Sequence, residues 1–326
     1  MRPPDPTKAR DFEHDGITIH AIEQGEGPVV LFVHGYPETS HSWRHQLPVV
    51  AAAGYHAIAI DVRGYGRSSC PAAIEEYSMG RLVADNVRIA EALGTDEVVI
   101  VGHDWGAPIA CSSSLLRPDL FSAVAMLSVP YAPPSVQRPT EVFATLFGGD
   151  NDFYITYFQE PGRADAEGTE DVRWWLSGFY YGASAGAPPE AAGFAAVPKG
   201  ERMKDRMMQP PSEMQWLPAA DLDHYVAEFE RSGFTGGLNR YRNLDRDWAE
   251  LAAFRGRPIT VPALFIGGDK DGPTIWGAGA IARFPETLPR LHGSHILENC
   301  GHWVQQEKPE ETNALLLEFL AEVRPV

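Results

Sequence analysis

The chain has 326 residues, 44% hydrophobic and 22% charged, with a net charge of −17. That length suits one α/β core carrying a sizeable insertion, and the negative charge argues against nucleic acid or an anionic membrane as partner. No apolar run reaches the roughly 18 residues of a membrane span, residues 1–6 lack the apolar centre of a signal peptide, and the scattered Cys70, Cys111 and Cys300 read as reduced thiols of a cytoplasmic protein.

Residues 1–15 are polar and proline-rich and read as a loosely held arm. Residues 17–22 alternate apolar and polar side chains, the pattern of an edge strand. A turn at 24–28 leads into 29–33, a buried strand ending at His34-Gly35-Tyr36-Pro37. A helix ends within 48–54, and 56–60 is a further buried strand. Residues 81–93 carry apolar side chains at helical spacing, with Gly94 placed as the C-cap. Val98-Val99-Ile100-Val101 then runs straight into Gly102-His103-Asp104-Trp105-Gly106, and a helical pattern continues to about Arg117. Residues 124–129 form the next buried strand.

From 131 to 250 the alternation stops. This segment holds 19 of the chain's 34 aromatic residues without any core-strand run. It reads as a mostly helical lid over a pocket, set between core segments 1–130 and 251–326. Alternation returns with a strand at 261–267, a helix at 274–283, a short strand at 295–297 and an apolar-striped helix at 309–323. Strands alternating with helices call for an α/β fold, a mainly parallel sheet with helices on both faces.

A buried strand, a tight turn and a helix around Asp104 are the parts of a nucleophile elbow. Gly102 and Gly106 flank its apex, where side chains would clash. The apex is aspartate, not serine, and a carboxylate can attack an electrophilic carbon to form an ester. Functional groups of parallel sheets gather beyond the carboxyl ends of the strands. Four such loops carry useful chemistry: His34 to Tyr36, Asp104, Asp271 and His302. Asp271 follows Asp104 by 167 residues and His302 follows Asp271 by 31, the order of an α/β-hydrolase triad.

His34-Gly35-Tyr36-Pro37, Gly102-His103-Asp104-Trp105-Gly106, Asp269-Lys270-Asp271 and Cys300-Gly301-His302-Trp303 together resemble the soluble epoxide hydrolases of the α/β-hydrolase fold. Two lid motifs sharpen the resemblance: Tyr154-Ile155-Thr156-Tyr157-Phe158-Gln159-Glu160-Pro161-Gly162, and Leu238-Asn239-Arg240-Tyr241-Arg242-Asn243. The resemblance implies a lid inserted after the sixth strand and hydrolysis of an epoxide to a vicinal diol. It implies Asp104 as nucleophile, His302 as base and Asp271 as its orienting acid. It also implies Tyr154 and Tyr241 as proton donors to the ring oxygen, and the backbone N–H groups of Tyr36 and Trp105 as the oxyanion hole. No cofactor and no metal are expected, and the aromatic lid suggests a small apolar or aromatic epoxide.

Two other readings compete: a haloalkane dehalogenase with the same aspartate, and a non-catalytic ligand-binding protein on this fold. Within the leading one, Tyr157 competes with Tyr154 and Asp269 with Asp271, while His103 reads as structural. Gly182-Ala183-Ser184-Ala185-Gly186 matches a serine-nucleophile pattern but runs into prolines, without the required strand and helix. His41 and His45 are four apart but lack the glutamate of a zinc motif.

Overall fold

Strand β3 (Val29–Val33) shows how the sheet is built. Its Val29, Leu31 and Val33 enter one hydrophobic cluster, and Val30 and Phe32 enter another on the opposite face. A strand buried on both faces needs no polar positions, so it reads as an unbroken apolar run. The structure, a computed structural model, describes residues 7–147 and 149–326.

In chain order the first part comprises β1 (Lys8–His14), β2 (Ile17–Gln24), β3, α1 (Leu47–Ala52), β4 (His56–Ile60), α2 (Met79–Leu93), β5 (Val98–His103), α3 (Gly106–Leu116) and β6 (Phe121–Leu127). The lid follows β6. It consists of α4 (Pro139–Phe147), β7 (Asn151–Phe153), α5 (Tyr154–Tyr157), α6 (Arg163–Glu170), α7 (Val172–Gly182), β8 (Ala196–Pro198), α8 (Ala219–Ser232), α9 (Thr235–Arg242) and α10 (Leu244–Glu250). The chain then returns to the core with β9 (Ala263–Gly268), α11 (Gly272–Trp276), α12 (Ala278–Ile281), α13 (Phe284–Thr287), β10 (Leu291–Leu297), α14 (Val304–Glu307) and α15 (Pro309–Val323).

The main sheet has the order β1-β2-β4-β3-β5-β6-β9-β10. β1, β2 and β4 pair antiparallel, and the pairs from β4 through to β10 are parallel. This places the ends of β3, β5, β6, β9 and β10, and the loops that follow them, along one edge. Leu47, Val50, Leu316, Phe319 and Leu320 from α1 and α15 cover one face. Residues of α2 and α3, with the lid aromatics, join the cluster on the other. The lid's own β7 and β8 form a separate two-stranded sheet.

Three expectations need correction. Residues 8–14 are not a loose arm: β1 pairs with β2 along its whole length and takes the sheet edge that β2 was expected to occupy. Phe12 is the one buried side chain of β1, too sparse a signal to mark a strand among charged neighbours. Residues 1–6 of that arm lie outside the described residues. The strand expected over 124–129 is β6, which starts earlier and stops at Leu127, because Ser128 takes a left-handed φ of 70°. The helix expected over 274–283 is broken at Gly277, and Pro285 then opens the separate α13, since proline fits a first turn and not a helix interior.

β1 is thus part of the folded core. Phe12→Ala is expected to cost about 3 kcal/mol or more of unfolding free energy, the scale of a truncated buried aromatic. Glu13→Ala, exposed on the same strand, should stay within about 0.5 kcal/mol. Urea unfolding curves of the two variants measure the difference.

Candidate active site

β5 delivers Asp104 to the apex of a tight turn. A Cβ on Gly106 would lie 1.9 Å from the Val33 carbonyl oxygen, and one on Gly102 would lie 2.1 Å from that of Gly106. Only glycine permits so close a strand-to-helix junction. Asp104 itself holds a φ of 50°, a conformation that non-glycine residues rarely adopt and that recurs at functional sites. Trp105 is the N-cap of α3, so the carboxylate stands at the positive end of a helix. Its Oδ1 accepts a hydrogen bond from the backbone N–H of Tyr36 at 2.8 Å.

His302 follows β10 and places its Nε2 3.3 Å from Asp104 Oδ2, while Nδ1 lies 2.8 Å from Asp271 Oδ1. Asp271 is the N-cap of α11. Its Oδ2 accepts from the Thr274 hydroxyl at 2.7 Å and the Thr274 N–H at 3.2 Å. The competing Asp269 instead accepts from the Cys300 N–H at 3.1 Å. Burial acts to lower the pKa of His302, but the charge of Asp271, the hydrogen bonds to both carboxylates and the charge of Asp104 outweigh it. The imidazole is held well above its ordinary value.

Beneath the triad lies a wholly buried carboxylate, Glu38. Its Oε2 meets His103 Nδ1 at 2.7 Å and the Gly35 N–H at 3.1 Å, and its Oε1 accepts from the amides of Gln305 at 3.0 Å and Gln306 at 3.1 Å. Burial pushes Glu38 up, yet the charge and hydrogen bond of His103, with His34 and the Gly35 N–H, hold it down, to about 2. The other ring nitrogen of His103 meets the backbone carbonyl of His302 at 2.8 Å, and the Ser128 hydroxyl donates to the same oxygen at 2.6 Å. His103 is therefore a strut between the Tyr36 loop and the His302 loop. His34 fixes the same region from the other side: Nε2 accepts from the Val62 N–H at 2.9 Å and Nδ1 donates to the Gly35 carbonyl at 2.8 Å.

Asp104, Asp271 and His302 open on a chamber of about 170 Å³. Tyr36, Tyr154, Phe179, Tyr241 and Trp276 are among its other lining residues. The rings of Tyr154 and Tyr241 meet at 6.1 Å. Burial raises both phenols above their ordinary pKa, and the negative charge of Asp104 adds to the rise. Both hydroxyls therefore keep their protons. Tyr157 takes no part in this lining: its hydroxyl bonds Glu167 and its ring lies under Arg163. Trp105 turns its ring edge-on to Tyr241 and lines a different cavity behind the chamber.

Among the residues singled out in the sequence, Asp104, His302, Asp271, Tyr154, Tyr241 and Tyr36 come together at this chamber. Ser184 does not; its hydroxyl donates to the Tyr181 carbonyl at 2.9 Å at the end of α7. His41 pairs with Asp221 at 2.7 Å, and no cluster of potential metal ligands occurs among the described residues. Sequence reasoning passed over Glu38, Thr274, Ser128, Gln305 and Gln306. It also passed over Gln159 and Arg242, which cross-link the two tyrosine-bearing helices. The Gln159 amide donates to the Tyr241 carbonyl at 3.0 Å, and Arg242 Nε donates to the Phe158 carbonyl at 3.0 Å. Gln159 and Arg242 stood inside the two quoted tyrosine motifs without a task of their own, and the others carried no distinct signal.

A family model described as the alpha/beta hydrolase fold matches residues 28–309. Epoxide hydrolase B of Mycobacterium tuberculosis is 42% identical, covering 95% of this chain and 97% of its own. The chain belongs to the epoxide hydrolases of the α/β-hydrolase fold. Epoxide hydrolase A of the same organism is 43% identical over 95% of this chain and 96% of its own. Among solved structures, an epoxide hydrolase from an endophytic Streptomyces superposes with a TM-score of 0.95 at 56% identity, covering 98% of this chain and 97% of its own. Epoxide hydrolase A from Mycobacterium thermoresistibile gives 0.91 at 44% identity, covering 97% and 98%.

The carboxylate of Asp104 is one of the charges that raise His302. Asp104→Ala is therefore expected to move the His302 imidazole to a lower pKa than in the wild type. Imidazole proton or nitrogen shifts followed by NMR across pH read this out, and an unchanged titration would contradict the assigned coupling.

Proposed function

We infer that the protein is an epoxide hydrolase that adds water to an epoxide through a covalent ester on Asp104 and releases a vicinal diol. The observation that carries this reading is a carboxylate at the apex of a nucleophile elbow, sharing an apolar chamber with two protonated phenols. Asp104 attacks one ring carbon, and the C–O bond to the ring oxygen breaks. An alkoxide is a poor leaving group, so Tyr154 and Tyr241 hold that oxygen by hydrogen bonds and supply a proton. Alkylation removes the negative charge of Asp104. With it goes part of what raises His302, so forming the ester favours the neutral imidazole that can act as base. His302 then deprotonates a water that attacks the ester carbonyl, while Asp271 keeps the ring oriented and stabilises the imidazolium. Collapse of the tetrahedral intermediate breaks the acyl C–O bond, the imidazolium proton passes to the departing alkoxide to give the diol, and the phenolate left by ring opening regains a proton from solvent. The N–H groups of Tyr36 and Trp105 receive the oxyanion; Tyr36 N already reaches an Asp104 oxygen.

The chamber's apolar lining supports a small substrate with an apolar or aromatic body. We assign 131–250 as the lid and 1–130 with 251–326 as the core that carries the triad. The three free cysteines support a cytoplasmic site of action; no helix among the described residues is long and apolar enough to cross a membrane. Displacement of halide would call for side-chain donors in the chamber, and the ring of Trp105 lies along the cavity behind it.

Tyr154→Phe and Tyr241→Phe are each expected to slow ring opening about tenfold or more, and the double variant by roughly 10³–10⁴, the worth of a positioned acid. Pre-steady-state ester formation measures this, and a double variant within a factor of about two of wild type would remove the phenols from the mechanism. In a single turnover with excess enzyme in ¹⁸O-water, the first diol should be largely unlabelled and the label should enter Asp104. His302→Gln should accumulate an Asp104 adduct heavier by the mass of the epoxide. Full label in the first diol together with no adduct in that variant would show that Asp104 is not the nucleophile.

A further inference from the structure

The backbone on either side of the base converges on one side chain. The N–H groups of Gly301 and Trp303, the two neighbours of His302, both donate to Glu307, to Oε2 at 3.2 Å and to Oε1 at 3.1 Å. The Ala185 N–H, in the turn after α7, donates to the same Oε2 at 2.9 Å. Glu307 is the last residue of α14, and its own N–H bonds the Trp303 carbonyl at 2.7 Å. Side chain and backbone thus both close back on the His302 loop, and one carboxylate ties that loop to the lid.

The two segments lie close. A Cβ on Gly301 would stand 2.4 Å from the Ala185 nitrogen and 2.6 Å from the Ala183 oxygen, so glycine is needed for the loop to rest against the turn. The Trp303 indole N–H adds a further tie, to the Tyr180 carbonyl at 2.9 Å. Glu307 is half-buried. Burial raises its carboxyl above the ordinary value, and the three N–H groups and the charge of His302 hold that rise back. Glu307 is not among the residues that line the chamber, so any part it plays in the reaction passes through the loop it grips. An ionised carboxylate accepts at both oxygens, whereas an amide accepts at one and donates at the other. In this place an amide would set its NH₂ against at least one of the N–H donors and leave it unpaired, which is costly away from water.

We propose that Glu307 is a positioning residue for His302, holding the imidazole in line with the Asp104 ester by fastening the His302 loop to the turn after α7. The inference rests on the epoxide-hydrolase reading above and assigns Glu307 to one half-reaction. Ring opening draws on Asp104 and on Tyr154 and Tyr241, whose helices α5 and α9 are tied together by Gln159 and Arg242, independently of this turn. Attack of water on the ester needs His302 at hydrogen-bond reach of that water. A general base displaced by about 1 Å loses roughly 10²-fold in rate. Loss of the Glu307 carboxylate therefore slows hydrolysis of the ester and leaves its formation intact.

The test follows the Asp104 ester of the intact protein by rapid quench and mass spectrometry, with styrene oxide and 1,2-epoxyhexane as probes. In Glu307→Gln, which keeps the size of the side chain, decay of the ester should slow by roughly tenfold to a hundredfold, while its formation stays within about twofold of wild type. In the steady state kcat and KM should fall together and kcat/KM should hold, because kcat/KM covers only the steps up to the ester. A purely structural role would instead slow both steps and lower kcat/KM. Glu307→Asp, whose carboxylate stops one methylene short of the same donors, carries the test with the same expectation if Glu307→Gln does not fold. Ester decay at the wild-type rate in the folded variant, or an equal loss in both steps, overturns the proposal. A wild type that forms no ester on Asp104 with either probe would instead overturn the catalytic reading, and the proposal with it.

Discussion

A carboxylate wholly removed from water is tolerated only when donors satisfy its oxygens, and the catalytic end of this sheet is assembled around one. Glu38 draws on the Gly35 N–H, the His103 ring and the amides of Gln305 and Gln306. Those donors come from the loop after β3, the end of β5 and the helix beyond β10, which are the segments that carry Tyr36, Asp104 and His302. Satisfying one buried charge therefore fixes the relative positions of the Tyr36 N–H, Asp104 and His302. His103 completes the frame by gripping the His302 carbonyl from below, so the imidazole is located through its own backbone as well as through Asp271.

The second organising influence is the charge of Asp104. In the resting site it raises both His302 and the two phenols. In the mechanism proposed above, the same negative charge favours the protonated phenols needed for ring opening and the protonated imidazole. On that proposal, forming the ester would remove the Asp104 charge and favour the neutral imidazole for the second half-reaction without any change of fold. An apolar chamber enlarges this effect, because charges that are poorly screened act strongly on their neighbours.

The lid takes part in the same arrangement rather than lying passively over it. Trp175 donates to the Tyr36 hydroxyl at 3.0 Å, the Tyr180 hydroxyl donates to the Pro37 carbonyl at 2.7 Å, and the His302 N–H donates to the Ala183 carbonyl at 2.9 Å. α7 and its C-cap thereby touch both the Tyr36 loop and the His302 loop. On the opposite side, Gln159 and Arg242 lock α5 to α9, which sets the spacing of Tyr154 and Tyr241. Much of the lid's aromatic content goes into this packing: Tyr241 alone meets Tyr36, Trp105, Tyr154 and Phe158 ring to ring.

The sequence by itself determined the elements whose signal is local. Buried parallel strands such as β3 and β5 are continuous apolar runs, the elbow needs its two glycines in place, and Gly94 ends α2 in the left-handed conformation that its position called for. Triad order and the two tyrosine motifs were legible for the same reason, each being a short string with a fixed chemical task. What lay beyond the sequence depends on partners far along the chain. β1 owes its existence to β2, since a charged edge strand has almost no apolar pattern of its own. The choice between Asp269 and Asp271, two residues apart, rests on which carboxylate the turn after β9 directs at His302. That Tyr154 and not Tyr157 lines the chamber follows from which side of a single helical turn faces the chamber; the other side buries Tyr157 against Glu167 and Arg163. Glu38 gave no sign at all, because a glutamate looks like a surface residue until the fold surrounds it with donors drawn from positions 35, 103, 305 and 306, and only the tertiary structure brings those together.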